Sequence, residues 1–451
     1  MRIPVSIRIA VLTSMAVGLM PGPAGAVTFL DTSYGTPTGT ALGRSAAMGA
    51  SGVSLYHGNQ AVVQNPALLA LEPERVRVDF LFGVTQAAED RLVPLFDSFD
   101  SFVDETTIAT NRNTYAQAQG GVLWRLPSER PMTLSAGVFE RYDFDFDYFE
   151  ELRDPDVFSS PRDRILENRT FDVEGTLRSL SAGYGAEVVD RVHLGFSVHR
   201  YFGDVSTTSR VADVQNGTAT IEDLDRDLTG WGWSVGAHAR PLERVEVAVS
   251  FEGPFTVDGT HTYSLLDEES GREMTFSSEE EIEYPGTLRF GLAYHPRNVL
   301  GTTFTAELVR RFWEDLDDSF AAGLADTLLD TLDDSYLETL AGLTLRDTWD
   351  FRLGLEHVFY NGLPVRFGFR YLENYADEES ERSIYSVGIG YRIESYRFDV
   401  TGLYHRQTTR QGFIFDPAVS VPGGGTFPSP NSDAKVEDSI LQIVFGVSRG
   451  F

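Results

Sequence analysis

The chain contains no cysteine. Disulfides, thiolate zinc sites and cysteine nucleophiles are therefore excluded, and so is anchoring through a lipidated cysteine. Lysine is almost missing: Lys435 is the only one among 37 basic residues, and the other 36 are arginine. Positive charge is short overall, 37 basic against 67 acidic residues, for a net −30. Such a balance disfavours direct nucleic-acid binding, which needs a net basic face. Beyond the amino terminus no apolar run approaches the roughly 20 residues of a spanning helix. None of the eight histidines sits in H-E-x-x-H, and no phosphate-cradling glycine loop occurs. A calcium loop of the D-x-[DN]-x-[DN]-G type is not intact either. The expectation is a non-enzyme with no catalytic residue, cofactor or metal site.

What is present begins with an address. Met1 and Arg2 precede an apolar stretch from Val5 to Met20, Pro21-Gly22-Pro23 breaks it, and Ala24-Gly25-Ala26 offers a small-residue cleavage site. Residues 1–26 read as a signal peptide for export.

The rest is dominated by alternation of period two. Trp231, Trp233, Val235, Ala237 and Ala239 share one face, with Gly232, Ser234, Gly236, His238 and Arg240 opposite. Tyr385, Val387, Ile389, Tyr391 and Ile393 likewise oppose Ser386, Gly388, Gly390 and Arg392. Apolar-out and polar-in is the pattern of a transmembrane β-barrel. Fourteen such segments are expected, at 74–84, 114–126, 132–142, 177–189, 191–200, 229–240, 243–252, 286–295, 301–312, 348–359, 363–371, 383–393, 395–405 and 438–451. The connections alternate long and short, the pattern of long outer loops and short periplasmic turns. The outer segments 85–113, 141–176, 201–228, 253–285, 313–347, 372–382 and 406–437 total −35 against −30 for the chain, so the remainder carries +5. This acidity faces outward, a solvated surface suited to bridging lipopolysaccharide through divalent cations. Leu316, Phe320, Leu324, Leu328, Leu332 and Tyr336 recur every four residues, predicting an amphipathic helix within 313–347. Phe451 ends an amphipathic strand and so resembles the signal read by the outer-membrane barrel-assembly machinery.

Residues 27–73 break the pattern. They are rich in Gly, Ala and Ser, and precede the first strand of the barrel at 74–451. Leu42-Gly43-Arg44-Ser45, the small-residue run 46–52, and Asn65-Pro66-Ala67-Leu68 resemble the amino-terminal hatch of FadL/TodX-type outer-membrane transporters. Tyr284-Pro285-Gly286 through Tyr294, followed by Trp313-Glu314-Asp315-Leu316, resembles a further stretch of that family. Phe29 resembles an aromatic near its mature start. The resemblance implies an all-β, fourteen-stranded antiparallel barrel in the Gram-negative outer membrane with a plug in its lumen. It implies passive uptake of hydrophobic small molecules such as long-chain fatty acids, released sideways through a kink in the third strand. Ala47-Met48-Gly49-Ala50 before the Asn-Pro-Ala motif also resembles PorV-type barrels, leaving a protein-secretion accessory or a structural barrel as the alternative.

Candidate site residues follow. Asn65, Pro66 and Ala67 form the hatch motif. Phe29, Arg75, Arg77, Arg125, Arg240 and Arg366 are candidate ligand contacts; the arginines lie near short turns and either hold the hatch or bind a fatty-acid carboxylate. Phe139, Glu140 and Arg141 are candidates for the lateral opening. Leu134, Ala136 and Val138 share the lipid face, and the next position on it is Glu140, a costly place for a carboxylate. Either the strand bulges here or it has already left the membrane, with residues 143–148 projecting as a hairpin.

Overall fold

The computed structural model describes residues 31–38, 43–96, 101–154, 164–297, 301–316, 345–376, 380–411, 413–415, 419–420, 426–427 and 434–451. The expected signal peptide, Phe29 and most of the helix expected within 313–347 lie outside them. Fourteen antiparallel strands form one closed sheet. In chain order they are Val76–Phe96, Phe102–Arg125, Met132–Asp143 continued by Phe146–Arg153, Ile165–Val189, Val192–Asp213, Thr218–Leu242, and Val245–Glu252 continued by Phe255–Asp267. The eighth is Arg272–Tyr284 continued by Thr287–Tyr294. Gly301–Arg311, Thr348–Val358, Pro364–Leu372, Arg382–Ile393, Tyr396–Gln411 and Ala434–Gly450 complete the set. The last strand pairs with the first from Arg77↔Gly450 to Leu92↔Lys435, closing the barrel.

The lipid-facing positions are as the alternation requires. Phe80, Leu180, Trp231, Phe290, Tyr385 and Phe445 are all exposed on the outer wall. Several strands run far past this belt, however. Much of 85–113, 143–176, 201–228 and 253–285 is regular ladder rather than loop. Outside the bilayer neither face meets lipid, so the alternation that marks a spanning strand fades while backbone pairing continues. The Asp213 carboxylate caps the tip between the fifth and sixth strands, accepting from the backbone N–H groups of Gln215 and Asn216 at 2.7 and 2.9 Å. Those bonds, that of Asn216 first, hold its pKa below the usual carboxylate value.

The lumen holds residues 43–72. A short helix Arg44–Ala47, a 3-10 turn Gly58–Gln60, a helical turn Ala61–Gln64 and a 3-10 stretch Pro66–Leu71 follow one another, and most of their side chains are buried. Glycines in the wall make space for this plug. A Cβ at Gly195 would collide with the backbone of Pro66 and Ala67, and one at Gly236 with the Asn65 side chain. Inward-facing glycine on these strands therefore reflects close approach of a second backbone.

Gly236→Val is expected to destabilise the folded barrel by about 1–3 kcal/mol, with Val235→Leu on the lipid face as a neutral control. Urea unfolding of barrels refolded into lipid vesicles measures both; equal midpoints would contradict the packing described.

Candidate functional site: a plugged lumen and a break in its wall

Each residue of the Asn-Pro-Ala motif has a local task. Asn65 precedes the 3-10 stretch and caps it, its Oδ1 accepting from the Ala67 N–H at 3.1 Å. Pro66 occupies the first position, where an N–H would have no helical acceptor. The Asn65 Nδ2 donates to the carbonyls of Val53 at 2.9 Å and Ala237 at 3.3 Å, tying the turn to the plug and to the sixth strand. Ala67 is fully buried against the wall.

The plug is bonded around the barrel. Asp79 accepts from the Asn59 N–H at 2.7 Å, Ser197 donates to the Val62 carbonyl at 2.7 Å, and Thr401 donates to the Gly43 carbonyl at 3.0 Å. Glu307 accepts from the Val53 N–H at 2.9 Å, and Arg352 donates to the Ala50 carbonyl at 3.2 Å. The candidate arginines divide. Arg77 pairs with Asp79 at 2.7 Å and lies 5.8 Å from the Tyr56 ring centroid. Arg366 bridges Glu356 and Asp399 at 2.7 and 2.6 Å, and Glu356 also holds Arg44 of the plug. Arg125 donates to the Glu72 carbonyl at 3.2 Å. Arg240 pairs with Glu246, whose carboxylate also meets His238 at 3.0 Å and His295 at 3.1 Å. Arg75 is exposed and stands apart from these networks. The side chains of Arg77 and Arg366 are thus committed to carboxylates beside the plug.

The third strand is irregular where Phe139, Glu140 and Arg141 stand. Its ladder with the second strand runs from Arg125↔Thr133 to Gly120↔Val138 and then stops. Among the described residues the two strands meet again only at Ala109↔Glu150. On its other side the third strand stays paired with the fourth, but the register shifts between Glu140 and Tyr142, leaving Arg141 as the extra residue. From there the chain turns into the lumen. Phe139, Phe144, Phe146 and Tyr148 are at most 5% exposed, so residues 143–148 do not project as a hairpin. Their alternating rings find a filled aromatic interior, and burying them outweighs keeping the ladder. Glu140 is not lipid-exposed: its carboxylate accepts from the Ala118 N–H at 3.2 Å across the break. Asn111 and Tyr115 accept from the N–H groups of Phe149 and Asp147 at 3.0 and 3.3 Å, and Asn113 donates to the Asp147 carbonyl at 2.7 Å. The edge vacated by the second strand is taken by the amino-terminal segment, with Thr36↔Asp143 and Pro37↔Tyr142 paired antiparallel.

Above the plug lies a cavity of about 90 Å³ between this segment, Arg141 and strands eight to twelve. Arg289, Arg311, Arg352 and Arg370 line it together with Glu252 and Asp350. Glu252 takes Arg141 and Arg289 (3.1 Å) and accepts from the Tyr201 hydroxyl at 3.0 Å. Asp350 takes Arg311 at 2.9 Å and Arg352 at 2.8 Å. Aromatic rings continue the cavity outward: Trp313 stacks on Tyr375 at 4.2 Å, and Tyr34 of the amino-terminal segment meets Trp313 edge-on at 5.7 Å. Except for Arg141, and for Arg289 and Trp313 within stretches that resemble the FadL/TodX family, this constellation was not legible in sequence, because its members come one or two per strand and only cross-strand register joins them. The one available signal was arginine recurring at inward parity on neighbouring strands.

No family model and no curated protein matches the sequence. Solved structures do match its fold. A FadL homologue of Pseudomonas aeruginosa superposes with a TM-score of 0.64 at 15% identity, covering 95% of this chain and 100% of that one. The toluene transporter TodX of P. putida gives 0.59 at 14% identity over 96% and 99%, and the toluene transporter TbuX of Ralstonia pickettii 0.57 at 15% over 92% and 98%. At such identities the likeness is one of fold: a fourteen-stranded barrel of the FadL/TodX type.

Glu252→Gln would leave two buried guanidinium groups without their carboxylate and is expected to cost about 3–5 kcal/mol. Arg75→Gln, on an exposed side chain, should leave the unfolding midpoint where it is. Denaturant titration of the two variants side by side tests whether the cavity's ion pairs, rather than the arginines near short turns as a class, support the fold.

Proposed function

We propose that the protein is an outer-membrane channel for passive uptake of hydrophobic small molecules, long-chain fatty acids among them. In this reading the amino-terminal segment 32–38 is the moving part, and the cargo leaves sideways at the break between the second and third strands. The observation that carries it is the unpaired seam, residues 110–119 facing 139–149, in an otherwise continuous wall. Lateral exit spares an apolar molecule a passage through water. The shared fold with toluene transporters and a FadL homologue supports the same class of cargo.

The proposed mechanism follows from which contacts are exchangeable. Residues 43–72 are bonded to the wall on many sides and serve as a fixed floor. Segment 32–38 is held in part by single bonds: Arg226 donates to the carbonyls of Ser33 and Thr32 at 3.3 and 3.5 Å, Tyr284 donates to the Tyr34 carbonyl at 3.1 Å, and Thr38 donates to the Arg141 carbonyl at 3.1 Å. A ligand entering the aromatic cluster replaces the Tyr34 ring without loss of apolar contact, and withdrawal of the segment uncovers the seam. Export by a cleaved signal peptide, insertion guided by Phe451 and contact of the acidic outer surface with lipopolysaccharide complete this reading.

Thr36 and Asp143 are directly opposed in an antiparallel pair, a spacing within reach of a disulfide. The chain has no cysteine of its own, so Thr36→Cys with Asp143→Cys introduces the only bridge. Uptake of radiolabelled toluene or oleate into vesicles carrying this variant is expected to fall several-fold on oxidation and return on reduction. Transport unaffected by the closed bridge would rule out the segment as gate.

A further inference from the structure

The strongest unexplained group in the lumen is Arg370. It lines the cavity above the plug, and among the described residues no carboxylate and no carbonyl accepts from it; its Nε is buried without a partner. It stands directly across the strand ladder from Arg352, and Arg352, Asp350 and Arg311 are its charged neighbours. Like charges opposed in a sheet are destabilising, and an unpaired buried cation is costly. The surrounding carboxylates do not relieve it. Asp350 is shared by Arg311 and Arg352, Glu252 by Arg141 and Arg289, and Glu307 is taken by Arg352 at 3.1 Å. With Arg382 and Glu373, which also line the cavity, six guanidinium groups stand against four carboxylates, leaving two positive charges. The Nη1 atoms of Arg141 and Arg289 are also buried without an acceptor. Unused donors of three arginines therefore surround one small space, with the Trp313–Tyr375 stack at its side.

The geometry points to a binding site for a doubly charged oxyanion head carried on an apolar, preferably aromatic, body, with Arg370 as the residue that selects for the charge. The inference rests on the channel reading and narrows its cargo: neutral hydrocarbons leave this site's charge unmet, and a single carboxylate meets half of it. Guanidinium groups suit the task because their planar donors match two oxygens of one head, while the rings accept the body.

Isothermal titration of the purified full-length barrel in detergent tests this with phenyl phosphate, phthalate, benzoate, toluene and inorganic phosphate. Phenyl phosphate and phthalate are expected to bind most tightly, benzoate more weakly, and inorganic phosphate more weakly still for want of an apolar body. Arg370→Gln should cost the dianions about tenfold or more in affinity and leave toluene unchanged. That variant also removes the Arg352–Arg370 repulsion, so it should fold and resist denaturant at least as well as the unaltered chain; Arg370→Leu provides a second test of the same loss. Phenyl phosphate binding should weaken as pH falls through its second ionisation, near about 6. Equal affinity for toluene and the dianions, undiminished dianion binding in both Arg370 variants, or inorganic phosphate binding as tightly as phenyl phosphate would each overturn the proposal. Toluene uptake into vesicles separates the two readings: if it proceeds while the dianions fail to bind selectively, the headgroup site is wrong and the channel stands; if no apolar compound enters, the channel reading fails.

Discussion

A backbone amide inside hydrocarbon has only another protein group to bond with, and every structural feature of this chain answers to that constraint. An open sheet would leave two rows of donors and acceptors in lipid. Pairing of the last strand with the first removes them. The constraint also explains what happens where pairing lapses. Between residues 110–119 and 139–149 the missing ladder is replaced by the side chains of Asn111, Asn113 and Tyr115 and by the short strand Thr36–Pro37. A backbone ladder is cooperative and slow to open. Four or five individual bonds to side chains and to a separate segment are not, and this difference is what the channel reading relies on when it places the opening at the break.

Closing fourteen strands creates a second requirement, because the polar faces of the strands enclose a space too wide for their own side chains to fill. Two devices fill it. Inward glycines let the plug's backbone lie against the wall, as Gly195 and Gly236 do for residues 65–67. Carboxylates shared between wall and plug, such as Glu356 between Arg44 and Arg366, fix the plug's position. Buried ion pairs of this kind add little net stability, since desolvation offsets most of their attraction. What they add is register: a plug shifted by one residue would strand several charges at once.

The sequence was most readable where the environment is most asymmetric. Strands with lipid on one face and lumen on the other, such as 229–240 and 383–393, alternate cleanly. The same strands become unreadable a few residues further out, where water meets both faces and Asp and Thr serve either side equally. Glu140 marked the defect in the third strand because a carboxylate at lipid parity is an anomaly on any account. Its resolution, with one extra residue and the aromatics of 143–148 turned inward, depended on an aromatic interior assembled from distant strands. The Asn-Pro-Ala motif could be singled out through its resemblance to the FadL/TodX hatch, a resemblance that survives because its cap, helix start and small residue are consecutive. The row Glu307, Arg352, Arg370 lies across three neighbouring strands, consecutive in space and separated by 45 and 18 residues along the chain. Register produces such groupings, and register is a property of the whole closed sheet.

In the channel reading, charge bears on how the barrel would handle an ion. The segments expected from the sequence to face outward carry −35 and the remainder +5, while most of the described lumenal arginines are neutralised by neighbours, so little positive field reaches the mouth. At physiological salt the outer charges act over about 8 Å, repelling an approaching anion only near the surface. The acidic rim therefore cannot speed capture of an anion by steering, as a basic rim would. Entry must be driven by transfer of an apolar body out of water into the aromatic cluster, and charge is read afterwards, at the arginines beneath. In such an order of events the apolar part sets the affinity and the headgroup decides which apolar molecules stay.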